Sequence, residues 1–287
     1  MIRKYSLLFL SLLVVFSLVA CGAPAEAPVE EAAPTEAPAE EASEEVTEAE
    51  PTEAPAEEVM AEEKPHFSYE GETGPEYWGS LSEDWIACDE GMEQSPVDIP
   101  ADAPVNADDV EYAYGETAVN IVNNGHAIQV NYDEGSMAVI DGTEYALKQF
   151  HFHSLSEHTV AGENMDMEMH LVHADADGNN AVVSVLLVEG AENAAFAPVW
   201  DNMPAEEGDP ATVEGAMVNV SDLMPEDRSY FHYMGSLTTP ACTEGVNWHV
   251  LVTPVELSAD QLAAFRAIHD GTNRPIQPMN DREFLGE

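Results

Sequence analysis

The chain has 287 residues, 56 of them Asp or Glu against 8 Lys and Arg, for a formal net charge of −48. So strong a negative field repels phosphate backbones and argues against a nucleic-acid partner. Three cysteines are too few for a disulfide-built scaffold, and the length allows one domain with a sizeable core plus appendages.

Residues 1–21 begin with Arg3 and Lys4, run apolar from Leu7 to Ala20 and end Leu18-Val19-Ala20-Cys21. This is the layout of an export signal, too short for a comfortable membrane span. Its end resembles a bacterial lipoprotein box, in which Cys21 is lipidated and becomes the first mature residue. The expected location is therefore lipid-anchored at the cell surface, outside the cytoplasmic membrane or in the outer membrane. Residues 22–64 turn abruptly to Ala, Pro, Glu and Thr, with 15 glutamates, no aromatic residue and PTEAPAEE repeated at 34–41 and 51–58. Such a stretch buries too little apolar surface to offset its ordering entropy and reads as a disordered acidic tether. At about 5–6 Å × √n it reaches roughly 35–40 Å, more when charge extends it. With Cys21 set aside, Cys88 and Cys242 are an even pair in an exported domain, which suggests one disulfide.

Residues 65–287 read as a single domain. Alternating runs recur at 118–129 ahead of 130–132, then at 137–140, 145–153, 165–173, 181–188, 213–220 and 246–252, predicting a mostly β fold. One helix is signalled, Leu262 to His269, with Ser258-Ala259-Asp260-Gln261 opening it as a capped start. The domain holds 41 acidic residues against five basic, a balance of −36, with Lys148 its one lysine. Self-repulsion of that size destabilises a compact state, so stability is expected to rise with salt.

Chemistry concentrates between Lys148 and His173, which hold five of the ten histidines in 26 residues. On an extended strand His151 and His153 project from one face and Phe150 and Phe152 from the other. After a polar turn, Asp166, Glu168, His170 and Val172 share one face, with Met167, Met169 and Leu171 opposite. That phase sets His170 beside the first pair. Three imidazoles on adjacent strands with no cysteine nearby suit a catalytic zinc with one position left open. Gln149 and Glu168 are placed two residues from a ligand on the same face, as acceptors for the free imidazole N–H groups.

His151-Phe152-His153, Ser156-Glu157-His158-Thr159 and Glu168-Met169-His170-Leu171-Val172-His173 together resemble the zinc-binding core of the α-class carbonic anhydrases. Further similarity runs through His66-Phe67-Ser68-Tyr69, Gly74-Pro75-Glu76-Tyr77-Trp78, Gln94-Ser95-Pro96-Val97-Asp98-Ile99, Asn123-Asn124-Gly125-His126, Gly235-Ser236-Leu237-Thr238-Thr239-Pro240, Asn247-Trp248 and Arg274-Pro275 with Gln277-Pro278. The resemblance implies a large twisted, mostly antiparallel sheet with short peripheral helices. It implies one zinc ion and reversible hydration of CO2 to bicarbonate and a proton. It assigns Thr238 to orient the nucleophile through Glu157, His126 to carry protons, and Val172, Val182, Leu237, Val246 and Trp248 to line the CO2 pocket. One departure is Ala241, where the family usually has a second proline preceded by a cis bond, which leaves the local backbone open. Two other readings compete: a cupin-like metalloenzyme with Glu157 as a fourth ligand, and a surface-anchored binding module that keeps the fold without catalysis.

Overall fold

The computed structural model describes residues 65–107 and 110–286. The export signal (1–21), Cys21 and the tether (22–64) fall outside them. Among the described residues no helix is long and apolar enough to cross a membrane.

In chain order come helix α1 (Trp78–Leu81), α2 (Ala87–Glu90), strands β1 (Asp98–Ile99), β2 (Val110–Ala113), β3 (Thr117–Asn123), β4 (Ile128–Asn131), β5 (Met137–Ile140), β6 (Thr143–His153), β7 (Thr159–Val160), β8 (Glu163–Asn164), β9 (Met167–Ala174) and β10 (Asn180–Glu189). They are followed by α3 (Ala197–Trp200), β11 (Ala211–Val218), β12 (Tyr230–Ser236), β13 (Glu244–Leu251), β14 (Val255–Leu257) and α4 (Ala259–Arg266). The large sheet runs β11-β3-β4-β6-β9-β10-β13-β12, with β5 on β6, β2 on β5 and β14 on β10. Its pairs are antiparallel except where β10 meets β13 and β14. The expected mostly antiparallel sheet with short helices is what forms.

Why these residues make this sheet is plainest at its centre. β10 is buried through Leu187 from Ala181, as befits a strand covered on both faces. Val183, Val185 and Leu187 join Phe150, Phe152, Met167, Met169 and Leu171 on one side, under Phe196, Val199, Leu262 and Phe265 from the α3 and α4 region. Val182 and Leu186 join Val246, Trp248, Tyr233 and Ile99 on the other. Full burial of each such side chain contributes about 1.5–3 kcal/mol. The capping box at Ser258 and Gln261 is present, so α4 starts where the sequence says. It ends at Arg266, three residues short of the expected end.

Two expectations change. The run 118–129 is not one strand: β3 stops at Asn123, and the Asn124 side chain accepts from His126 N and Ala127 N to close a turn with Gly125 at φ +85°. The polar stretch 154–164 is more than a turn, since β7 and β8 pair with each other and β1 adds to β7 in parallel. β12 has no alternating signal in the sequence and is not among the expected strands.

Candidate active site

β6 and β9 carry the three predicted ligands. Pairing sets His151 directly opposite His170 and His153 opposite Glu168, with a register shift between Leu147 and Gln149. A one-residue slip would turn His170 into the hydrophobic core, which the burial of Met169 and Leu171 on the other face forbids.

Each imidazole gives one N–H to a fixed oxygen. His151 Nδ1–H donates to Gln149 Oε1 at 2.8 Å, His153 Nδ1–H to the Thr272 carbonyl at 2.7 Å and His170 Nε2–H to Glu168 Oε1 at 2.9 Å. The other three nitrogens are left as lone pairs, and one ligand atom from each residue falls within 4.8 Å of the others. Burial holds all three imidazoles below their ordinary range, with neighbouring imidazoles adding to it, so they are neutral at pH 7. His153 Nε2 and Glu157 Oε2 are buried with no hydrogen-bond partner and stand 3.6 Å apart. A lone pair left facing a carboxylate oxygen fits a cation bound beside them. Three neutral nitrogens and no thiolate make a cluster that could hold a metal ion, a donor set that suits zinc.

Glu168 is the hub behind the ligands. It is fully buried and accepts from Glu157 N, His158 N, His158 Nδ1, His170 Nε2 and Ser184 Oγ. Burial alone would raise its pKa, yet His158 and His170 hold it well below the carboxylate range. An acceptor-only group there fixes the His170 proton on Nε2. Behind it the chain continues to Ser95 through Tyr233, whose hydroxyl lies 2.7 Å from His158 Nε2 and 2.8 Å from Ser95 Oγ. His158, Glu168 and His170 also cluster closely, but both ring nitrogens of His158 are engaged in this network.

Glu157 accepts from Arg274 N at 2.8 Å. Burial pushes its pKa up to about 7, against the pull of His170, that amide and the Thr238 hydroxyl. Thr238 is thus a neighbour of Glu157 as expected, although Oε2 itself has no partner of ordinary hydrogen-bond geometry. The Pro240–Ala241 bond, which the sequence leaves open, is cis. Cys88 and Cys242 are bonded, S–S 2.05 Å, tying α2 to the loop after Thr238.

Two clefts meet at the ligands and share Gln149, His151 and Thr239. One, about 210 Å³, runs outward past Phe67, Tyr69 and His126; the other, about 200 Å³, is walled by Val172, Val182, Leu237 and Trp248 with Thr238. Of the five nominated apolar residues, Val246 alone is not on this wall; it is buried in the cluster that supports it. His126 is half-buried and stacked on Phe67 at 3.7 Å, its pKa lowered by burial and by His66. No spacing in the sequence gives Thr272, Tyr233, Ser184 or His158 a role at the site. The His158 match to the resemblance was the one available hint, while a backbone carbonyl such as that of Thr272 leaves no residue signature.

Residues 73–285 match the family model for eukaryotic-type carbonic anhydrase. A carbonic anhydrase of Klebsiella pneumoniae is 44% identical over 223 residues, 77% of this chain and 90% of that protein. One of Nostoc sp. is 40% identical over 222 residues, 76% of this chain and 84% of that protein. An α-carbonic anhydrase structure from Thermovibrio ammonificans, in complex with the inhibitor sulfanilamide, superposes with a TM-score of 0.74 at 42% identity, covering 77% of this chain and 99% of that one.

Proposed function

This chain belongs to the eukaryotic-type, or α, carbonic anhydrase family, and from that premise we propose a zinc-dependent enzyme held at the cell surface by a lipid on Cys21. Its reaction is the reversible hydration of CO2 to bicarbonate and a proton. The observation that carries the zinc reading is the donor set: three neutral imidazoles, each oriented by its own acceptor, with their free nitrogens converging. His151, His153 and His170 would hold the ion, which when bound acidifies water enough to supply a nucleophile near neutral pH. The cupin-like alternative lacks its barrel, because the sheet here is open at β11 and β12.

The protein's own residues do the rest. Val172, Val182, Leu237 and Trp248 offer apolar substrate a wall that water wets poorly. Thr238, beside Glu157, would donate its hydroxyl hydrogen bond to the carboxylate, leaving the Thr238 oxygen as the acceptor that orients a nucleophile in the cleft. Gln149, Glu168 and the Thr272 carbonyl keep each ligand in one tautomer. His126, at the cleft mouth, passes the product proton to solvent. The export signal and the acidic tether support a position outside the cytoplasm, set off from the membrane.

The test is zinc content with CO2 hydration on the purified full chain. One zinc per chain with activity is expected, and His151→Ala, His153→Ala or His170→Ala should each lose most of both. Full activity with bound zinc in any of the three would show the ligand set to be wrong. For the anchor, mass analysis of the mature N-terminus should find a lipid-modified Cys21, and a free Cys21 thiol there would refute lipidation.

A further inference from the structure

The six residues from His269 to Arg274 touch three working parts of the site. The Thr272 carbonyl accepts from His153 Nδ1 and the Arg274 amide donates to Glu157 Oε1. The first of the six reaches the third part. His269 Nε2 lies 2.9 Å from Asn123 Oδ1, an acceptor, so the ring donates. The same Asn123 oxygen accepts from Gly125 N at 3.0 Å, and its amide donates to the Pro204 carbonyl at 3.2 Å. Asn123 holds the Gly125 amide while the Asn124 side chain holds those of His126 and Ala127, so the two together set the turn in which Gly125 takes φ +85° and from which His126 projects into the cleft. His269 itself lies outside the lining of both clefts. Its backbone is fastened to α4 by His269 N–H donating to the Phe265 carbonyl at 2.9 Å. On the far side of the turn, a Cβ on Gly125 would come within 3.0 Å of Glu207 Oε2.

We propose that His269 is a positioning residue for proton export: it clamps Asn123 and so fixes where the His126 turn presents its ring. The proposal rests on reading His126 as the proton carrier. The donor is the Nε2–H, present in the required neutral tautomer and in the imidazolium alike, so the clamp holds on both sides of the His269 titration. What it controls is geometry, to which proton transfer is steeply sensitive.

The test compares His126→Ala, His269→Ala and His269→Gln in the zinc-loaded full chain with two readouts. One is steady-state hydration in dilute buffer without imidazole. The other is isotope exchange between CO2 and bicarbonate at equilibrium, which requires no net proton export. His269→Ala should lose turnover by about three- to tenfold, a fraction of the 10²–10⁴-fold that a well-placed acid or base supplies. It should keep its exchange rate and zinc, and recover in imidazole buffer. His269→Gln puts an amide N–H close to where the imidazole Nε2–H stands and should keep most of the turnover. Unchanged turnover in His269→Ala beside a fall in His126→Ala overturns the positioning role alone. Unchanged turnover in His126→Ala overturns the carrier reading and the proposal with it. Equal losses in the alanine and glutamine variants, or a matching fall in exchange, also overturn it. Should His269→Ala not fold, His269→Leu keeps the volume and removes the donor.

Discussion

Glu168→Gln changes the chemistry of one buried group and almost none of its volume. The carboxylate accepts from three side chains at Oε1 and from the Glu157 and His158 amides, each at 2.8 Å, at Oε2. A glutamine can place its oxygen on one side only. With oxygen toward His158, His170 and Ser184, the NH2 confronts two backbone N–H groups that have no other acceptor at hand. Hydrogen bonds to a charged group contribute about 1.5–3 kcal/mol each, so losing two costs about 3–6 kcal/mol. The flipped amide is worse, because NH2 then meets three donors. In a domain of this size 1 kcal/mol shifts Tm by about 2–4 °C, so the fall should be about 6–24 °C. Thermal unfolding of the zinc-loaded and chelator-stripped proteins measures it, and zinc release to a chelator should quicken because His170 loses its orienting acceptor. A Tm within about 2 °C of the parent would refute the view of Glu168 as the acceptor that organises this site.

Acid stability should be set in part by two buried histidines outside the site. Burial lowers His173 to about 4, and burial with His232 and His173 nearby lowers His249 to about 3. Both are neutral when folded and regain an unfolded value of about 6.5. Their contribution is therefore complete above that value and is lost as pH falls toward 4 and then 3, because the unfolded chain binds more protons there. Unfolding free energy should fall on acidification across this window, and His173→Gln should flatten the slope; the same slope in both proteins would count against it. Reducing Cys88–Cys242, a bridge spanning 154 residues, should cost about 2–5 kcal/mol, read as a lower denaturant midpoint; two thiols titrating in the unreduced, denatured protein would rule the bridge out. Tm should rise between about 0.01 M and 1 M NaCl as the Debye length shrinks from about 30 Å to 3 Å, with sucrose as control, and a flat or falling curve would sink the charge-repulsion argument.

What the sequence determined by itself is the part of the site built on strand periodicity. The two-residue spacing of His151 and His153, and the in-phase His170, fix which face each side chain takes, because alternation is a local property of an extended backbone. Gln149 and Glu168 were legible for the same reason. The capped start of α4 was legible too, since its partners are three residues apart. The resemblance supplied Glu157, Thr238, His126 and most of the apolar wall, none of which spacing alone would separate from turn or core residues.

Tertiary structure decided the rest. The break in 118–129 was in fact signalled, since Asn124-Gly125 between alternating apolar runs is a hairpin turn sequence; what the fold adds is the Asn124 side chain closing that turn. β12 gives no clean alternating signal because large side chains stand on both faces: Phe231 and Tyr233 pack in one cluster and Tyr230 in the other, with His232 and Met234 partly buried, while its backbone bridges to Asn106 and Leu285. The Thr272 carbonyl, the Arg274 amide and the His269 ring reach their partners across more than 100 residues of chain. Two of the three are backbone groups, which every residue type carries alike. No side-chain pattern can announce a contact made by a peptide unit; only the packed fold, by denying a buried donor any other acceptor, selects it.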